Sequence, residues 1–128
     1  MRLKNQFATF GLFLVIGSLA AAQAPQVKVT GTFSSLEYNE ESGDLLGAEV
    51  YIFVSGGHWV LYQESPGEPV EPSLVKAKVS GDSIEFTVPD ISGGKKTFKG
   101  KISKSHLIGK FSGSKELIKL PRRKSYWQ

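Results

Sequence analysis

Thr97-Phe98-Lys99-Gly100-Lys101-Ile102-Ser103-Lys104-Ser105-His106-Leu107-Ile108-Gly109-Lys110-Phe111 is the stretch on which the fold turns. It is nearly palindromic, Phe-x-Gly-x-Ile followed by Leu-x-Gly-x-Phe. Side chains alternate between the two faces of a strand, so a two-residue turn at Lys104-Ser105 predicts a hairpin. In that register Ile102 faces Leu107, Gly100 faces Gly109 and Phe98 faces Phe111, all on one side. The facing glycines predict room for a bulky ring or for close curvature. Lys99, Lys101 and Lys110 then project from the other side.

The same arithmetic extends outward. A turn at Gly81-Asp82 sets Val79 against Ile84, Ala77 against Phe86 and Val75 against Val88, again a single apolar face. Val27, Val29, Gly31 and Phe33 alternate with Lys28, Thr30 and Thr32, the pattern of a half-buried strand. A third hairpin turns at Gly56-Gly57. Read with a two-residue loop, it pairs Val54 with Trp59 and Ile52 with Leu61 on one face. The other face then pairs Phe53 with Val60, Tyr51 with Tyr62 and Glu49 with Glu64. Both faces are apolar, so something must cover the second: the C-terminal tail, a second subunit or a partner.

Strands are expected at roughly 26–38, 45–54, 58–64, 72–80, 83–88, 97–103, 106–112 and 117–124, the last of which could instead open as a short helix before Pro121. Eight antiparallel strands joined mostly by tight turns imply an all-β, up-and-down barrel, with an open β-sandwich as the alternative. Closure removes exposed sheet edges. At this strand number the interior either is filled by side chains or holds one small ligand.

Ahead of the barrel, Arg2 and Lys4 precede an apolar run from Phe7 to Ala22 and then Ala22-Gln23-Ala24. This is the layout of a secretory signal peptide over 1–24, cleaved after Ala24, leaving a single domain at 25–128. The expectation is a periplasmic or secreted protein that is not integral to a membrane once cleaved. With no cysteine in the chain, neither a disulfide nor a thiolate metal site can form, and packing must hold the domain together.

Signal peptide, Gly43-Asp44-Leu45-Leu46-Gly47 turn, Phe98–Phe111 hairpin and terminal Ser125-Tyr126-Trp127-Gln128 together resemble small exported bacterial proteins with a lipocalin- or streptavidin-like barrel. The resemblance implies a fold and transfers no functional residue.

Charge is unevenly spread. Residues 25–71 carry one lysine and eight acids, whereas residues 72–128 carry thirteen lysines or arginines and four acids. A basic face is expected at Lys99, Lys101, Lys110, Arg122, Arg123 and Lys124. It lacks the interleaved aromatics of a nucleic-acid site, so the anionic partners left to it are envelope polymers or lipid headgroups. Neither His58 nor His106 lies at the centre of a core face. No serine sits in a Gly-x-Ser-x-Gly turn, and the acids Glu40, Glu41 and Asp44 lack the spacing of a calcium loop. No enzymatic activity, cofactor or metal is expected.

Two functions follow. In the first, Tyr51, Phe53, Val60 and Tyr62, joined by Tyr126 and Trp127, form a surface for self-association or for an envelope protein partner, because large rigid aromatics anchor interfaces. In the second, the barrel binds a small apolar ligand, with the proline-rich stretch Glu64–Pro72 as a stiff acidic rim.

Overall fold

The computed structural model describes residues 26–128. The expected signal peptide at 1–24 lies outside the described residues. Nine strands follow: β1 (Gly31–Ser34), β2 (Glu37–Asn39), β3 (Asp44–Val54), β4 (His58–Gly67), β5 (Ser73–Ser80), β6 (Ser83–Pro89), β7 (Lys95–Ile102), β8 (His106–Phe111) and β9 (Ile118–Pro121). All pairings are antiparallel, in the order β1-β3-β4-β5-β6-β7-β8-β9, with β2 pairing to β3 beside β1. An isolated bridge from Phe33 to Arg122 brings the two ends of the sheet together, so the described residues form an all-β barrel that is nearly closed. Of the 117–124 segment, Ile118–Pro121 is strand, Arg122 forms the isolated bridge, and none of it is helix. The stretch read as one strand at 26–38 is broken: 26–30 is irregular, and β1 and β2 are separated at Ser35-Leu36.

Two hairpins have the register read from sequence. Ala77 pairs with Phe86 and Val79 with Ile84, while Phe98, Gly100 and Ile102 pair with Phe111, Gly109 and Leu107. The inward residues form one core of Phe33, Val50, Ile52, Val60, Tyr62, Ile84, Phe86, Val88, Phe98, Ile102, Leu107, Phe111 and Leu120. Rings meet across the barrel: Tyr62 on β4 packs on Phe86 of β6 at 6.0 Å and edge-on to Phe111 of β8 at 5.6 Å. Phe98 stacks on Phe86 at 5.1 Å.

The facing glycines are explained by the Phe98 ring, which folds back along its own hairpin and lies over both. A Cβ at Gly109 would stand 2.5 Å from that ring and 2.3 Å from the Lys99 carbonyl oxygen; one at Gly100 would stand 2.6 Å from the ring. Gly109→Ala is therefore expected to cost about 2 kcal/mol, the usual range for overpacking a tight site. A urea midpoint unchanged from wild type would show that Phe98 can move aside freely.

The third hairpin differs from the expected one. Its loop is three residues long, Ser55-Gly56-Gly57, closed by the Ser55 amide donating to the Gly57 carbonyl at 2.9 Å. Val54 consequently pairs with His58, Phe53 with Trp59, Ile52 with Val60, Tyr51 with Leu61, Val50 with Tyr62 and Glu49 with Gln63. One extra loop residue shifts the pairing by one, and a shift by one turns every β4 side chain to the opposite face.

Candidate functional site

Correcting that register redraws the aromatic surface. Val60 (0% exposed) and Tyr62 (5%) belong to the core and not to the outer face. Trp59 and Leu61 take their place outside, opposite Phe53 and Tyr51. Leu61 in turn pairs with Leu74 on β5, and Tyr51 with Thr32 on β1. The result is a cross-strand row, Thr32–Tyr51–Leu61–Leu74, with no charge in it. Tyr51, Leu61 and Leu74 are all exposed, Leu74 the most at 57%. A second row, Phe53–Trp59–Lys76, runs beside it. Phe53 stacks on Tyr51 at 5.3 Å, and the Lys76 ammonium lies 5.4 Å from the centre of the Trp59 ring.

On its other side the row meets the C-terminal tail. Glu49, outward-facing yet buried, accepts hydrogen bonds from the Ser125 hydroxyl and, at 2.9 Å, from the Tyr126 amide. The Trp127 indole donates to the Gln63 side-chain oxygen at 2.8 Å, while the Gln63 amide nitrogen donates to the Val70 carbonyl at 2.9 Å. The tail thus covers the polar Glu49–Gln63 pair and leaves the apolar row open. Between tail and row lies a groove of about 630 Å³ bordered by Tyr51, Leu61, Pro72 and Trp127. Tyr126 and Trp127 pack edge-to-face at 5.0 Å and both remain exposed.

A different chemistry occupies the mouth of the barrel. Glu64, placed opposite Glu49 by the sequence reading, instead pairs with Ala48 and points inward. Both of its carboxylate oxygens receive the Lys96 ammonium of β7, at 3.1 and 3.0 Å, from across the mouth. The Tyr62 hydroxyl donates to the same carboxylate at 3.2 Å. Burial, and then the Glu64 charge, push the Tyr62 phenol well above its usual range, so it stays a neutral donor. Lys96 also lies over the Phe111 ring at 4.5 Å. A hollow of about 690 Å³ opens above this cluster, faced by Leu117, Ile118 and Leu120 of the β8–β9 connection and β9.

The expected basic face divides. Lys99, Lys101 and Lys110 are exposed on the outer side of β7 and β8, and Lys124 is exposed beyond β9. Arg122 and Arg123 belong instead to the barrel seam. The Arg122 guanidinium donates to the carbonyls of Thr30 (2.8 Å), Lys104 (3.1 Å), Ser103 (3.2 Å) and Lys28, and stacks 4.4 Å from the centre of Phe33. Arg123 donates to the Leu36 carbonyl at 2.8 Å. These are structural side chains, which a basic run at a chain end does not announce.

No protein-family model, curated protein or solved structure matches this chain.

Proposed function

We propose that this protein is an exported, non-catalytic binding module that works by protein contact through its outer apolar face, and that the occupant is a second copy of the chain. The observation that carries the reading is the uncharged row Thr32–Tyr51–Leu61–Leu74, with the projecting Leu74 beside the groove bordered by Tyr51, Leu61, Pro72 and Trp127. A projection and a hollow on one patch make it self-complementary: about a two-fold axis, Leu74 of each copy enters the groove of the other. Sheets stack face to face about 10 Å apart, with side chains interleaved in this manner. Export rests on the basic, apolar and small-residue order of 1–24.

A small apolar ligand is the weaker reading, because the rings of Phe86, Phe98, Phe111 and Tyr62 take up the barrel interior that it would need.

Sedimentation of the purified protein over a range of micromolar concentrations tests the first reading. The wild type should pass from monomer to dimer. Tyr51→Ser with Leu61→Ser should weaken the dimer at least about thirtyfold, roughly 2 kcal/mol, with an unchanged far-ultraviolet circular dichroism spectrum. Leu74→Glu, which places a charge in the contact, should also remain monomeric. A wild type that is monomeric throughout, or variants that associate as it does, would overturn the assignment.

A further inference from the structure

On the side of the barrel formed by β5 to β9 the outer surface is a lattice of lysines. Lys99 of β7 stands directly opposite Lys110 of β8. That row continues through Glu85 of β6 to Lys78 of β5. One step along the strands, Lys101 pairs with Ile108, and Ile108 with Lys119 of β9. All five lysines are exposed, and Glu85 is the single acid in the two rows. The one ion pair within 4.0 Å among the described residues is Lys96–Glu64 at the mouth, so none of the five is paired. Like charges placed directly opposite each other on a sheet repel, and the single neighbouring acid, Glu85, faces Lys99 and Lys78 without an ion pair to either, leaving Lys110, Lys101 and Lys119 with no facing carboxylate.

We propose that this lysine lattice binds a linear acidic polysaccharide. Strands lie about 4.8 Å apart and alternate residues about 6.7 Å apart along a strand, so the ammonium groups recur at the intervals of a chain bearing a charge on every one or two sugar units. Three features select this ligand over other polyanions. The cations are distributed over successive strands around the curvature of a closing barrel, so a flat membrane would meet the lysines of only one or two strands at a time. No aromatic wedge stands among them to enter a lipid interface: their neighbours are Ser83, Thr97 and the half-buried Ile108. The same lack of aromatics leaves nothing for bases to stack on, which single-stranded nucleic acid would require. The lattice is separate from the Tyr51–Leu61–Leu74 face, so the two surfaces can be tested independently.

Heparin serves as the probe, titrated by fluorescence anisotropy at low and raised salt. Each lysine–anion contact releases condensed counterions, so the logarithm of the binding constant falls with the logarithm of salt in proportion to the number of contacts. Lys99→Gln, Lys101→Gln and Lys110→Gln together should weaken low-salt binding about tenfold or more and reduce that slope by about two, taking about 0.7 per contact. Each single substitution should remove about a third of the slope change, which keeps the test open should the triple variant misfold. The comparison protein carries Lys28→Gln, Lys115→Gln and Lys124→Gln, the same loss of charge placed outside both rows, and should bind as the wild type does. Equal weakening in both triple variants would show that net charge alone is at work and would overturn the site. Absence of saturable binding at low salt would also overturn it. So would binding to phosphatidylglycerol vesicles without binding to heparin, or a loss of self-association in the Lys99, Lys101, Lys110 variant.

Discussion

Arg122→Ala should lower the unfolding free energy by about 3 kcal/mol, since it removes several charge-assisted hydrogen bonds that share one cation. The reason lies in how the sheet closes. β1 and β9 do not form a regular ladder: one bridge, Phe33 to Arg122, joins them. The carbonyls of Lys28, Thr30, Ser103 and Lys104 would otherwise face the gap without donors, and the guanidinium supplies one to each. Gly31, at φ 127°, leaves room for that group; a side chain there would be strained, and its Cβ would stand 3.0 Å from the guanidinium. Arg122→Lys should recover less than half of the loss, because an ammonium has neither the planar reach to four carbonyls nor the flat face that lies on Phe33. Urea unfolding followed by tryptophan fluorescence gives the magnitude. Hydrogen exchange at the amides of Arg122 and Arg123, which bond to Ser105 and Thr32, gives the location. A loss below about 1 kcal/mol would mean that packing alone closes the barrel.

Why the seam escaped the sequence while the hairpins did not comes down to the range over which each is specified. Phe98–Phe111 and Ala77–Phe86 are set by a short turn and by a face on which every residue is apolar, information held within about fifteen residues. The Gly56-Gly57 hairpin has the same local form, yet its register could not be read. Both candidate β4 faces are apolar, Val60 with Tyr62 and Trp59 with Leu61, so alternation does not choose between them. Ser55 decided the parity by joining the loop, and the hydrogen bond from its amide to the Gly57 carbonyl is a local turn geometry that a Gly-Gly pair does not dictate. Arg122 meets Lys28 and Thr30 from more than ninety positions away, and a basic run after Pro121 looks like solvated surface until the fold brings it to the gap. Half of the aromatic face was therefore legible: Tyr51 and Phe53 on β3, Tyr126 and Trp127 on the tail. The other half, Trp59 and Leu61, depended on that one loop residue; Leu74 faces outward by the alternation that turns Val75, Ala77 and Val79 inward, and only its partnership with Leu61 followed from the loop. Glu64 and Lys96 were hidden for the opposite reason, because each looks like an ordinary surface charge at the end of a strand.

At the mouth, Glu64→Leu alone should cost about 2–3 kcal/mol, whereas Glu64→Leu combined with Lys96→Met should return to within about 1 kcal/mol of wild type. The side chains of Lys96 and Glu64 are only 16% and 20% exposed, so each has given up most of its water for the other. Removing the carboxylate leaves the ammonium over Phe111 with ring faces and the Asp90 carboxylate nearby but no direct acceptor, and the Tyr62 hydroxyl loses its acceptor as well. Removing both charges lets Leu and Met extend the aromatic core formed by Tyr62, Phe86, Phe98 and Phe111 to the rim, offsetting the lost pair by apolar burial. The coupling read from the double-mutant cycle should be about 2 kcal/mol or more, well above the value of an exposed pair. Near-additive single substitutions of less than about 0.5 kcal/mol each would mean that water reaches the pair in solution and that the mouth is held by its rings alone. The cycle also bears on specificity of pairing across the barrel. Glu64 and Lys96 sit on strands separated by β5 and β6 in the sheet, so their attraction favours the curled arrangement over a flat one. A double variant of normal stability that closes less completely, seen as faster exchange at the Arg122 and Arg123 amides, would assign the pair to shaping the barrel and not to stabilising it.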